Sequence, residues 1–160
     1  ESTLEKGHAT KVYGEAMLTM QADHKKSAII QEAFRILESG GLYSIHELGL
    51  MPDDLPEEQK ITIQRELAKV IRVNARPLTV SEWSHLLEKE GFEIVSVHTN
   101  PMYLLEPSRM IDDEGFFRTL KIGFNILTHP EERSRILAMR EVFKKYQHHL
   151  NAVGIIARKK

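Results

Sequence analysis

Hydrophobic and polar positions along the chain alternate between strand-like runs and helix-like stripes. An apolar run over residues 11–20 predicts a first strand, and Asp23 behind it is a candidate N-cap for a helix whose apolar residues recur at helical spacing. Gly40 and Gly41 are predicted to end that helix, after which residues 42–48 resume as a strand. Because a helical crossover of this kind joins parallel strands, the pattern predicts an α/β fold with a parallel pair at its start.

The same pattern predicts further helices and strands along the rest of the chain. In order, they are a helix over residues 57–75, a helix begun by the Thr79 and Glu82 capping box, a strand over residues 92–99, and a last strand over residues 152–157. The predicted buried stripe of the first of these helices consists of Ile61, Leu67, Val70 and Ile71. Residues 101–149 are predicted to form a helical insertion before the last strand. Such insertions commonly act as lids or substrate walls.

Composition narrows the class of protein. The chain has 160 residues, 41% hydrophobic and 28% charged, which is typical of one globular domain. A formal net charge of -1 provides no field that would favour nucleic acid or an anionic membrane. Cysteine is absent, which excludes disulfides, thiolate zinc sites and thiol nucleophiles. No apolar run approaches the roughly 18 residues of a membrane span, so we expect a soluble, cytoplasmic protein whose partners bind at specific sites.

Three stretches carry a family resemblance. Residues 12–18 read VYGEAML, residues 32–42 read EAFRILESGGL, and residues 78–97 contain a Thr-capped helix, a Gly-Phe pair and a strand. In this order they resemble the C-terminal half of a class I S-adenosylmethionine-dependent methyltransferase from its fourth strand onward, in the ubiquinone and menaquinone branch. Ser39 stands where the family usually has proline. The chain also begins at Glu1 rather than at methionine, as we expect of a partial domain.

The resemblance implies a fold and an activity. The fold would be the C-terminal half of a Rossmann-like methyltransferase sheet, mostly parallel with an antiparallel last strand, so that residues 1–160 form a single partial domain. The activity would be transfer of a methyl group from S-adenosylmethionine to a small-molecule acceptor. The family's glycine-rich loop and the acid after its second strand are missing from this sequence. We therefore expect that the N-terminal cofactor-binding half lies outside this chain and that the chain alone is inactive.

The resemblance also places cofactor-binding residues after the first strand. Gly14, Glu15, Ala16 and Met17 would border the methionine part of the cofactor, and Glu15 could bind its amino group. A carboxylate next to the sulfonium would stabilise the ground state more than the transition state, so the amino group is the better partner. The structural alternative is that Glu15 caps a helix or forms a salt bridge.

His46 and Glu47 are the candidate catalytic residues. They end the second parallel strand, and ligands of open α/β sheets bind beyond the carboxyl ends of such strands. Either residue could accept a proton from an attacking acceptor, although only one can face the pocket because neighbouring strand residues point to opposite faces. The alternative is that neighbouring backbone groups satisfy the pair. Leu50 occupies the position where a zinc-binding H-E-x-x-H motif needs its second histidine, so that motif is excluded.

Other polar and aromatic clusters favour structural roles. His148 and His149 are predicted to be neighbours on a helix, where they would point about 100° apart, so they would make a poor metal site and no metal is expected. A charged cluster that more simply caps a helix consists of Arg109, Asp112, Asp113 and Glu114. A set that is either core or an apolar substrate wall consists of Met102, Tyr103, Phe116 and Phe117.

Two rival functions remain open at the level of sequence. The first is a non-catalytic interaction module derived from a methyltransferase. In that case the bare edge of the first strand, residues 11–17, would pair with another chain and the protein would self-associate, for instance as a dimer. The second is a nucleotide-dependent oxidoreductase. It ranks last because it would need the same glycine-rich loop that is absent here.

Overall fold

The computed structural model describes residues 3–102 and 130–160. Its elements, in chain order, are β1 (Ala9–Glu15), α1 (Asp23–Ile36), β2 (Leu37–Leu50), α2 (Glu57–Ile71), β3 (Leu78–Thr79), α3 (Val80–Lys89), β4 (Phe92–Pro101), α4 (Pro130–Lys145) and β5 (Leu150–Lys159). Strands and helices alternate through most of this order, so the α/β class is confirmed. No helix in these two ranges is long and apolar enough to cross a membrane.

One mixed sheet organises the described residues. Its path is β1-β2-β5-β4, and the two-residue β3 attaches to β2. β1 and β2 are parallel, whereas β5 is antiparallel to both β2 and β4. Since β5 opposes both neighbours, β4 runs in the same direction as β1 and β2. The sheet is therefore mostly parallel with an antiparallel last strand, as predicted.

The end of α1 differs from the prediction. The helix ends at Ile36, and Gly40 and Gly41 lie inside β2. The register of β2 against β1 shifts between these points, and Gly40 adopts a positive φ of 78° within the irregular stretch. The last carbonyl groups of the helix are satisfied from elsewhere, because Lys159 Nζ donates to Phe34 O at 2.6 Å and to Leu37 O at 2.7 Å. A long-range lysine thus replaces the predicted glycine cap.

Two helix predictions are corrected and one is confirmed. Asp23 is the first residue of α1 rather than its N-cap, which is Ala22. In α2 the residues that pack inward are Ile63 and Leu67, while Ile61 is 45% exposed. The capping box of α3 is present in full.

Each face of the sheet has its own hydrophobic core. Tyr43 and Ile45 pack with α1 and α3 on one face. Leu50 lies an odd number of positions from Ile45 along β2, so its side chain points to the other face. There it packs with residues of α2 and α4. The helix α4 belongs to the predicted insertion and contributes Phe143 and Tyr146 to this second core. The rest of the insertion, residues 103–129, lies outside the described residues.

Candidate functional site

A buried carboxylate fixes the loop that follows β1. Glu47 is 3% exposed and lies in β2 beside this loop, three residues before the strand ends at Leu50, so His46 and Glu47 do not end the strand as predicted. Its Oε1 accepts hydrogen bonds from the backbone N–H groups of Met17 at 3.0 Å and Leu18 at 2.8 Å. Its Oε2 accepts from the N–H of Thr19 at 3.0 Å and from the Thr19 hydroxyl at 2.7 Å. Hydrogen bonds to an ionised acceptor are the strong class, so one side chain holds three consecutive loop residues in place.

This geometry bears on the catalytic prediction for Glu47. Each carboxylate oxygen offers about two lone-pair positions, and each oxygen of Glu47 already accepts two donors. Little acceptor capacity remains for a proton from a substrate. For Glu47 the structure favours the second sequence interpretation, in which neighbouring backbone groups satisfy the strand-end acid.

His46 points away from Glu47 and meets a different acid. It pairs in register with Glu15 across β1 and β2. The His46 Nδ1 atom lies 3.6 Å from Glu15 Oε1, and the two side chains are 59% and 73% exposed. An exposed pair of this kind contributes little to stability. Its significance is positional, because it sets a basic ring and a carboxylate side by side at the carboxyl ends of two parallel strands.

A cavity of about 300 Å³ opens at these strand ends. Its polar wall consists of Glu15, Thr19, His46 and Glu47. Its apolar wall consists of Met20, Leu48, Ile71, Met102, Met139 and Phe143. Among the lining residues, the sequence predicted Glu15, Ala16, His46, Glu47 and Met102 as site or wall residues, and Met139 and Phe143 belong to the insertion predicted as a lid or substrate wall. Leu48 lies in β2 itself, whereas Thr19, Met20, Ile71 and Ala75 come from loops and from the end of α2, which only the folded chain brings to the strand ends.

The predicted cofactor residues divide into two pairs. Glu15 and Ala16 line the cavity, whereas Gly14 and Met17 are not among its lining residues. Gly14 instead lies against Met17, because a Cβ atom at position 14 would come 3.1 Å from the Met17 sulfur. Ala16 adopts a positive φ of 50° and donates its N–H to His46 O at 2.8 Å. The tight turn after β1 is thus anchored to β2 at both His46 and Glu47.

A buried lysine joins this loop to a second one. Lys26 is 1% exposed and donates from Nζ to Arg76 O at 3.0 Å and to Asp23 Oδ1 at 3.2 Å. Arg76 in turn donates its N–H to Thr19 O at 2.7 Å. Burial lowers the pKa of Lys26, and the hydrogen bond that Lys26 donates to Asp23 opposes that shift. The loop that carries Ala75 to the cavity is therefore tied to the loop held by Glu47.

The other residues considered as sites from the sequence do not line this cavity or lie outside the described residues. His148 and His149 lie in the turn after α4 rather than on the predicted helix; His149 Nε2 is 3.0 Å from Gln59 Nε2, and His148 is exposed. Within residues 3–102 and 130–160, no group of three histidine, aspartate or glutamate side chains could hold a metal ion. The charged cluster of Arg109, Asp112, Asp113 and Glu114 lies outside the described residues, as do Tyr103, Phe116 and Phe117.

Comparison with known sequences gives one relative of clear similarity. No family model matches the chain. A protein of Haemophilus influenzae, whose description states no activity, is 35% identical over 148 residues, which are 92% of this chain and 57% of that protein. The chain therefore spans little more than half the length of the curated relative it matches.

Solved structures resemble the chain over nearly its whole length. A candidate sarcosine dimethylglycine methyltransferase from Galdieria sulphuraria aligns with a TM-score of 0.70 and 16% identity, covering 99% of this chain and 56% of the other. Geranyl diphosphate methyltransferase in complex with S-adenosylmethionine aligns with a TM-score of 0.61 and 13% identity, covering 100% of this chain and 54% of the other. The [4+2]-cyclase SpnF aligns with a TM-score of 0.65 and 15% identity, covering 99% of this chain and 52% of the other. At these identities the likeness concerns architecture alone, and the chain has the α/β fold found in S-adenosylmethionine-dependent methyltransferases.

Proposed function

We propose that this chain is the C-terminal part of a methyltransferase domain that transfers a methyl group from S-adenosylmethionine to a small-molecule acceptor. The observation that carries the proposal is the cavity at the carboxyl ends of β1 and β2, which lies where open α/β sheets bind their ligands. Its loop is held rigidly by Glu47. The fold shared with methyltransferases, and the resemblance of residues 12–18 and 32–42, agree with this function.

The residues at the strand ends partly fit the proposed cofactor. When bound, S-adenosylmethionine supplies an electrophilic methyl group. Glu15 is exposed at the cavity rim and offers a carboxylate to the cofactor's amino group, while Ala16 brings backbone to the same rim. The adenosine part needs further contacts, which we assign to residues preceding this chain in a longer protein. The chain's 57% share of its Haemophilus relative supports this assignment.

His46 is the proposed proton acceptor. It is exposed toward the cavity, and an acceptor O–H or N–H that binds there can pass its proton to the imidazole. Glu47 acts as a positioning residue, because its hydrogen bonds fix the loop that borders the cavity. The apolar side chains of α4 exclude water from the cavity, consistent with the substrate wall proposed for the insertion.

The free edge of β1 supports a second candidate, an interaction module. Among the described residues β1 pairs only with β2, and Tyr13 on β1 is 83% exposed. An unpaired parallel strand is a template for another strand. For the chain on its own we propose self-association through residues 11–17. Light scattering over a wide concentration range tests this, and a constant monomer mass would contradict it.

The likeness to a [4+2]-cyclase also shows that this fold does not fix the reaction.

Calorimetric titration with S-adenosylhomocysteine tests the proposed function. The titration is made with the 160-residue chain and with the full product of the same gene. We expect binding by the longer protein, weakened by Glu15→Gln and unchanged by Glu38→Gln, since Glu38 is an exposed residue at the far end of β2. Absence of binding by both proteins would reject the methyltransferase function and favour the interaction module.

A further inference from the structure

We propose that the strand-end cavity binds a compact apolar acceptor, about the size of one substituted aromatic ring, that carries no negative charge and presents one O–H or N–H group to His46. This names the acceptor class and so rests on the proposed function. The binding site itself is argued from the walls of the cavity alone. Three properties of those walls lead to the proposal: their chemistry, the volume they enclose, and the sign of their charges.

The apolar wall is built from separate parts of the chain. Met20 comes from the loop after β1, Met102 follows β4, and Met139 projects from α4. Phe143 and Ile71 close the wall from α4 and α2. Methionine side chains are unbranched and polarizable, and they pack well against aromatic rings. A surface of this kind adapts to a flat apolar ligand and gives few directional hydrogen bonds.

The volume sets the size of the ligand. The cavity holds about 300 Å³, which is the lower end of the range for small-molecule sites. One water molecule takes about 30 Å³ of liquid, so the cavity has room for roughly ten groups of that size. A substituted aromatic ring fits within this volume with its substituents.

The charged residues of the wall determine which sign of charge a ligand can carry. Glu15 and Glu47 are the acids that line the cavity, and none of its described lining residues is lysine or arginine. A carboxylate or phosphate acceptor would be desolvated beside two acids, with no lysine or arginine of the described wall to pair with it, which is unfavourable. An uncharged or cationic ligand avoids this penalty. With Glu47 satisfied by the loop and Glu15 assigned to the cofactor, His46 is the group at the rim that meets the ligand's single polar hydrogen.

A matched set of probes tests the site directly. The probes are 4-propylphenol, 3-phenylpropylamine and 3-phenylpropionate, which share a ring and a three-carbon chain but differ in charge. Binding to the full gene product is followed by NMR of its ¹³C-labelled methionine methyl groups. We expect the phenol and the amine to shift the Met20, Met102 and Met139 methyl signals and to leave Met51, which lies outside this cavity, unchanged. The carboxylate is expected to bind at least about tenfold more weakly.

Two substitutions on α4 provide the matched control. Met139→Gln places an amide in the apolar wall and is expected to weaken 4-propylphenol binding about fivefold, through lost apolar contact. Leu137→Gln changes a residue of the same helix that is 44% exposed and outside the cavity, and it is expected to have no effect. Equal effects of the two substitutions, absence of methionine shifts, or preference for the carboxylate would each overturn the proposal.

Repeating the titration with S-adenosylhomocysteine separates this inference from the function it rests on. If the phenol binds but S-adenosylhomocysteine does not, the site stands and methyl transfer is rejected. If both bind together, both proposals are supported. If S-adenosylhomocysteine displaces the phenol, the cavity belongs to the cofactor and the acceptor site is overturned.

Discussion

Replacing Glu47 with glutamine keeps the shape of the side chain and removes its charge and one of its acceptor oxygens. The amide oxygen can still accept the N–H groups of Met17 and Leu18. The new NH₂ group can donate to the Thr19 hydroxyl oxygen, but it faces the buried Thr19 N–H, which is also a donor. The variant therefore leaves one buried N–H without a partner and weakens the other hydrogen bonds.

The expected loss of stability follows from these changes. An unsatisfied buried donor costs about 1–3 kcal/mol, and a hydrogen bond to a neutral acceptor is worth about 1 kcal/mol less than one to a charged acceptor. Because such terms are not additive, we expect Glu47→Gln to lower the free energy of unfolding by about 3 kcal/mol. With a urea m-value of about 2 kcal/mol/M, the unfolding midpoint should fall by about 1.5 M.

The assay is urea unfolding followed by tryptophan fluorescence. Trp83 is the single tryptophan of the sequence and is fully buried. Its indole Nε1 donates to Leu48 O at 3.3 Å, so it reports on β2 close to Glu47. Glu38→Gln, on the same strand and exposed, is the control. If Glu47→Gln shifts the midpoint no further than this control, the view that Glu47 holds the loop is refuted.

Two further predictions concern Tyr43 and the glycines. Burial, with a smaller effect of Glu47, raises the pKa of Tyr43 to about 12. Neutral Tyr43 contributes stability that is fully present below pH ~10 and is lost as the pH rises through ~12, roughly 3 kcal/mol in all, so urea midpoints of wild type should fall further than those of Tyr43→Phe over this interval. Gly49→Ala should cost about 1–3 kcal/mol in thermal unfolding, because its Cβ would overlap the Asn151 amide and a Val153 methyl group. Gly14→Ala should cost less, since it meets the flexible end of a methionine; equal melting temperatures for the two would contradict this reasoning.

Local sequence signals predicted the features that local physics controls. The alternation of hydrophobic positions predicted the α/β class and the parallel β1–α1–β2 unit. The family resemblance predicted that β5 is antiparallel. The capping box of α3 was visible because its two residues are three positions apart and satisfy each other's backbone. The ends of β1 and β2 were identified as the site region because ligands of parallel sheets bind there.

What only the tertiary structure decided involves residues far apart in sequence. Glu47 is satisfied by a loop about thirty positions away, and Lys26 by a carbonyl fifty positions away. The pattern of α2 allowed Ile61 as a buried residue, but docking against α4 selected Ile63 instead. Periodicity shows that a residue lies on an apolar face, yet it does not show which partner covers that face. The cavity and its charges depend on those partners, which is why they became visible only in the folded chain.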